Sequence, residues 1–286
     1  MTQLETLDPI AIPAPIRGFM FDVDGTLILS DRSLGSYEVL PGAIATLEAI
    51  KTRGLPFVLF TNGSAYPPGE QAAKLRKTGL PVDDAQMLTP SSVAAHQMSQ
   101  AGVARVLVLG TPGVGHALRE AGIQTSYAKE PRASEVDAVY VGWHPECGMV
   151  DIERACQAIW AGAKLYVASD VPFFATKQGR TVGYSFAITA AIRRLTRAPM
   201  ILTGKPSAHA MRYIARQLGV PQRNVAVVGD DPVVEVIMAR RSGASAFAVT
   251  TGTTGYDEWR RQTGLRRPHS VLNDLSELLQ WWEQSQ

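Results

Sequence analysis

Apolar residues in this chain cluster in short unbroken runs, separated by longer stretches where apolar positions return every three or four residues. The runs at 19–21, 56–60, 106–110, 138–142, 165–168, 199–202, 225–228 and 246–249 have the pattern of strands buried on both faces. The stretches 43–51, 69–78, 91–101, 115–121, 152–161, 185–194, 208–217, 233–241 and 275–282 read as amphipathic helices, several of them stopped by a glycine. Residues 1–15 are Pro-rich and read as a loose tail, and 28–40 reads as loop. Strands alternating with helices predict an α/β fold with a parallel sheet. At Val103 the alternation restarts and runs through the helix at 185–194 as a unit of its own, and the core resumes at 199–202. That divides the chain into a core in two parts, 1–102 and 200–286, with an inserted α/β domain at 103–199.

The first apolar run leads into Asp22-Val23-Asp24-Gly25-Thr26. In an extended segment two carboxylates two positions apart point to the same side. They repel, and each raises the other's pKa unless a cation neutralises them. A hard cation with oxygen ligands, above all Mg²⁺, suits such a pair. The plain alternative is a strand ending in an Asp-rich turn. Three further stretches follow apolar runs: Thr61-Asn62-Gly63-Ser64, Gly204-Lys205-Pro206 and Gly229-Asp230-Asp231. Each alone is an ordinary turn. Their placement after strands is what matters, because open α/β sheets bind ligands at strand carboxyl ends.

Composition narrows the partners. With 286 residues, 45% hydrophobic, the chain can bury one large core or two modest ones. A net charge of +2, with both signs interspersed, offers no clustered basic face for nucleic acid. No apolar stretch approaches the ~20 residues of a membrane helix, and the N-terminus lacks a signal-peptide pattern. Cys147 and Cys156 are too few for a disulfide framework, lack metal-site spacing with each other, and read as packed residues in a reducing cytoplasm. His144 reads as a loop residue with no partner, and His209 as a helix residue outside the chemistry. Trp281 and Trp282 read as packing against the core, and the glycines at 110–115 make only a weak nucleotide-loop pattern.

The four stretches together, in this order, resemble the motifs of the haloacid dehalogenase superfamily, most of whose members are phosphatases. The long interval between the second and third resembles the subgroup carrying an α/β cap there, typified by nitrophenylphosphatase-like enzymes and the N-acetylglucosamine operon phosphatases. The resemblance runs from about Arg17 to the last helix. It implies a Rossmann-like, doubly wound core with an inserted cap, and a Mg²⁺-dependent phosphomonoester hydrolase for small phosphorylated metabolites. By that resemblance Asp22 is the nucleophile that forms an aspartyl-phosphate, and Asp24 the acid and then base. Mg²⁺ would sit on the Asp22 side chain, the Asp24 carbonyl and Asp230. Thr61, with Asn62 and Gly63, would bind the phosphoryl group, and Lys205 would offset its charge. The alternatives are a phosphotransferase or mutase of the same superfamily and a non-catalytic phosphometabolite-binding module. Mutases of the superfamily usually carry a helical cap near the first motif, for which 28–40 is too short, and a binding module would lose Asp22 or Asp24.

The chain departs from its relatives in two places. An Asp often follows the fourth motif four or five residues on, where this chain has Val234-Glu235, so Asp231 and Glu235 become the candidates for support of the metal site. The cap reads Ser169-Asp170-Val171-Pro172-Phe173-Phe174 where relatives carry an Asn-Pro-Asp-like stretch. Phe173, Phe174, Lys177 and Arg180 are the cap's candidates for substrate contact, and a homodimer through the cap is left open.

Overall fold

The computed structural model describes residues 10–30, 37–176 and 179–284, without the side chains of 174–176, 179–180 and 283–284. Residues 1–9 of the expected tail, 31–36 of the expected loop, and Lys177 lie outside the described residues, as do the side chains of Phe174 and Arg180. The chain divides into two compact units. One comprises 1–60, 74–86 and 214–286, the other 61–73 and 87–213.

In the first unit five parallel strands lie side by side in the order Ser270–Leu272, Ser245–Val249, Val225–Gly229, Gly18–Phe21, Phe57–Phe60. Gly18–Phe21 is paired along both edges, and Phe19, Met20 and Phe21, which alternate between its faces, are all wholly buried, so both faces are covered. The helix Leu275–Gln284 closes one face, Trp282 meeting Phe19 edge-on at 5.3 Å and Trp281 meeting Phe247 at 4.7 Å. Such contacts add about 0.5–1.5 kcal/mol to the burial itself. The expected packing role of both tryptophans holds. Three features differ from the sequence expectation. The stretch at 233–241 opens with one π-helical turn, Pro232–Val236, before the α-helix Ile237–Arg241. The strand Ser270–Leu272 opens on a serine directly after Pro268 and His269, so it has no unbroken apolar run to show in the pattern. Within 28–40, Ile28–Ser30 pairs antiparallel with Tyr37–Val39.

The second unit holds a five-stranded parallel sheet in the order Met200–Leu202, Lys164–Val167, Ala138–Val141, Arg105–Leu109, Gln124–Ser126. Alternate residues of one strand go to opposite cores. Val106 and Val108 pack with Ala94 and Met98 of helix Pro90–Gln100, and Leu107 and Leu109 with Ala155 and Ile188 of helices Met149–Trp160 and Tyr184–Thr196. Met200–Leu202 belongs to this sheet, where the sequence reading had the core resume. A three-residue apolar run carries no signal of which sheet it will join. Residues 173–176 and 179–182 form a hairpin that the sequence pattern left unassigned. Among the described residues no helix is long and apolar enough to cross a membrane.

Candidate active site

The first and fourth motifs lie in the first unit, at the carboxyl ends of neighbouring strands. Asp22 follows Phe21 directly, and its N–H donates to Val228 O at 2.9 Å, one ladder step before Asp230. Strand Gly18–Phe21 ends there and the chain bends at Val23, so the extended geometry assumed for Asp22 and Asp24 is lost. Asp22 is buried, with the Thr26 hydroxyl donating to its Oδ2 at 3.4 Å. Asp24 is exposed, and Ser30 Oγ donates to its Oδ1 at 2.5 Å. Two carboxylates close in sequence thus differ in solvation, which is how one site separates two acid–base roles.

Asp230 is 5% exposed. Its Oδ2 accepts from Thr253 N at 2.7 Å and from Thr253 Oγ1 at 3.0 Å. Gly25, at φ +83°, and Gly252 press against the same carboxylate: a Cβ on either would stand 2.5 Å and 2.0 Å from Asp230 Oδ2. Thr251 Oγ1 donates to Gly25 O at 2.6 Å and ties the two loops together. Burial, then the negative charge of Asp22, push the Asp230 carboxyl up to about 7, against the Thr253 hydrogen bonds that lower it. A pair of buried carboxylates offers the oxygen ligands of a hard divalent cation, so these residues fit Mg²⁺. The threonines and glycine at 251–253 were not singled out by sequence reasoning. Their signal was a Thr/Gly run directly after the buried run at 246–249.

The two candidates for supporting that pair are built differently. Asp231 Oδ1 accepts from Val233 N at 2.7 Å and starts the π-helical turn. Glu235 is buried, its stem lying over Gly229, where a Cβ would stand 2.2 Å from Glu235 Cγ. π-Helical turns occur often at functional sites.

The second and third motifs lie in the second unit and are joined by one side chain. Asn62 Nδ2 donates to Lys205 O at 3.0 Å, and Lys205 N donates to Asn62 Oδ1 at 2.8 Å. This reciprocal pair fixes the peptide of Lys205, whose side chain is buried. Gly204 makes it fit, because a Cβ there would stand 2.2 Å from Ala168 O and 2.6 Å from Asn62 Oδ1. Thr61 is buried, and Gly63 N donates to its Oγ1 at 3.0 Å. Sequence reasoning gave Asn62 a backbone role and missed this use of its side chain. A short amide at a strand end was the only signal. In the cap, Phe173 is exposed at the start of the hairpin opposite Val182. His209 stands on helix Ala208–Leu218 with Arg212 at 3.1 Å from its Nδ1.

Known proteins resemble the chain over most of its length. The model of the haloacid dehalogenase-like hydrolases matches 19–124, and a second hydrolase model of that kind matches 202–278. The D-glycerol 3-phosphate phosphatase of Mycobacterium tuberculosis is 30% identical over 91% of this chain and 70% of its own. The 4-nitrophenylphosphatase of Thermotoga maritima superposes with a TM-score of 0.82 at 28% identity, over 94% of this chain and 98% of its own. A glycerol phosphate phosphatase of M. tuberculosis, in complex with magnesium, gives 0.80 at 26%, over 94% and 78%. The chain therefore belongs to the haloacid dehalogenase-like hydrolases, in the phosphatase branch whose members carry an inserted α/β cap.

Proposed function

We propose that this enzyme is a Mg²⁺-dependent phosphomonoester hydrolase for small phosphorylated metabolites, working through an aspartyl-phosphate on Asp22. The observation that carries the reading is the pair of buried carboxylates, Asp22 and Asp230, at the ends of adjacent parallel strands, with exposed Asp24 two positions on. Asp22 Oδ attacks the phosphorus and the ester oxygen departs. Asp24 hands that oxygen a proton, and afterwards takes one from the water that splits the acyl phosphate. The Asp22 side chain, the Asp24 carbonyl and Asp230 would hold Mg²⁺, which when bound supplies charge neutralisation for the carboxylates and the phosphoryl oxygens. Thr61 donates from its hydroxyl to the phosphoryl group, and Lys205, held by Asn62, balances its charge. The named relatives act on small esters, a glycerol phosphate and a nitrophenyl phosphate among them, which supports the substrate class. A panel of sugar, triose, glycerol and nucleotide monophosphates, assayed for phosphate release with and without Mg²⁺, tests it. Metal-dependent release from at least one is expected. Full activity in excess chelator, or hydrolysis of a folded phosphoprotein as fast as the best small ester, refutes the reading.

A further inference from the structure

We infer that His144, Cys147 and Asp151, in the second unit, form a binding site for a zinc-type transition-metal ion, separate from the phosphoryl chemistry. One ligand atom from each residue lies within 4.8 Å of the other two. His144 Nε2 already stands 3.4 Å from Asp151 Oδ1. Ligand bonds to zinc of about 2.0–2.3 Å place tetrahedral neighbours roughly 3.3–3.7 Å apart. The imidazole and carboxylate are therefore at coordinating separation, and the thiol has to close in by at most about 1.5 Å (4.8 − 3.3). The expectation that His144 lacks a partner does not hold. Its partners are supplied by the turn at 144–148 and the first turn of helix Met149–Trp160, a juxtaposition that the spacing between the two cysteines could not show.

The carboxylate is already oriented. Asp151 Oδ2 accepts from Gly148 N at 2.9 Å, which leaves Oδ1 turned toward His144. Held carboxylates of this kind are typical supports of a metal site. The side chains of His144 and Asp151 are 18% and 16% exposed, sheltered yet open enough for an ion to enter. Nitrogen, sulfur and oxygen donors together select zinc and its neighbours over Mg²⁺, which takes oxygen alone. Three protein ligands leave a fourth position for water. On coordination the thiol releases its proton. The bound ion would clip the loop to the helix. That loop is already anchored at its other end, where Trp143 N donates to Ser64 Oγ at 3.0 Å and the Trp143 ring meets Tyr184 at 4.6 Å.

Cobalt titration of the reduced, chelator-stripped full chain in saturating Mg²⁺ tests the site, because a thiolate bound to Co²⁺ gives a near-ultraviolet charge-transfer band. One equivalent of Co²⁺ should saturate the band, and Zn²⁺ should abolish it. Cys147→Ser should lose the band while Cys156→Ser keeps it. His144→Ala and Asp151→Asn should weaken binding at least about tenfold, the asparagine still able to accept from Gly148 N. No band in the parent protein, a band that survives in Cys147→Ser, or unchanged affinity in both other variants overturns the proposal.

Discussion

Replacing Gly252 by alanine tests whether Asp230 holds the metal without touching any acidic group. The new Cβ would stand 2.0 Å from Asp230 Oδ2, 2.5 Å from its Cγ and 2.6 Å from its Cβ. Ordinary van der Waals contact starts at 3.4 Å, so loop and carboxylate must separate by about 1.4 Å (3.4 − 2.0). Asp230 is 5% exposed and has little space in which to swing. The loop is therefore the part that gives, and the 2.7 Å bond from Thr253 N goes with it. Overpacking of this kind destabilises by about 1–3 kcal/mol. A misplacement near 1 Å in a catalytic constellation costs on the order of 10²-fold in rate. The assay is a Mg²⁺ activation curve on p-nitrophenyl phosphate, with thermal unfolding of the metal-free protein beside it. Gly252→Ala should lose about 10²-fold in kcat or need at least about tenfold more Mg²⁺ while remaining folded. Gly255→Ala is the control, since a Cβ there meets nothing within 4 Å. A Gly252→Ala enzyme with the parent kcat and Mg²⁺ response refutes the reasoning, and so does a Gly255→Ala enzyme equally impaired.

Three further outcomes are expected. Asp24→Asn should slow alkyl phosphates more than aryl phosphates, whose leaving groups need less protonation; equal losses on both, measured as kcat/KM, would make Asp24 structural. Asn62→Ala removes both bonds that fix the Lys205 peptide, worth about 1–3 kcal/mol together at this half-buried position. It should lower Tm by a few degrees and kcat at least about tenfold, and a variant unchanged in both would show that Lys205 is positioned by something else. The Asp230 carboxyl, raised from 3.8 to about 7, contributes stability that is complete below about pH 4 and lost as pH rises through about 7 in metal-free protein. Mg²⁺ relieves the ionised pair, so its effect on Tm should be larger at pH 8 than at pH 5; the reverse order contradicts the buried-pair account.

Much of the architecture was legible because period and position carried it. Runs such as 19–21 and 225–228 are apolar throughout, as a strand covered on both faces requires, and the motifs follow them at once. Short elements escaped. Ser270–Leu272 and the paired strands 173–176 and 179–182 are not unbroken apolar runs, and Met200–Leu202 could be seen as a strand but not assigned to a sheet. In the site, Asp22, Lys205 and Asp230 stood out as charges at strand ends. Of the groups that position them, Asn62 and Gly204 were visible inside the motifs, though not the side-chain bonds of Asn62, and Gly252 and Thr253 were not seen at all, because these contacts join residues far apart along the chain. The meeting of His144, Cys147 and Asp151 depends in the same way on the fold of one turn onto one helix.

Trapping the covalent intermediate tests the central claim most directly. The enzyme is mixed with its best substrate and Mg²⁺, quenched in acid within the first turnover, and treated with borohydride, which reduces an acyl phosphate to the alcohol. Peptide mass spectrometry should then find homoserine in place of Asp22, and in no preparation lacking substrate. Reduction at a different residue, or full turnover with no reducible acyl phosphate at Asp22, would contradict it.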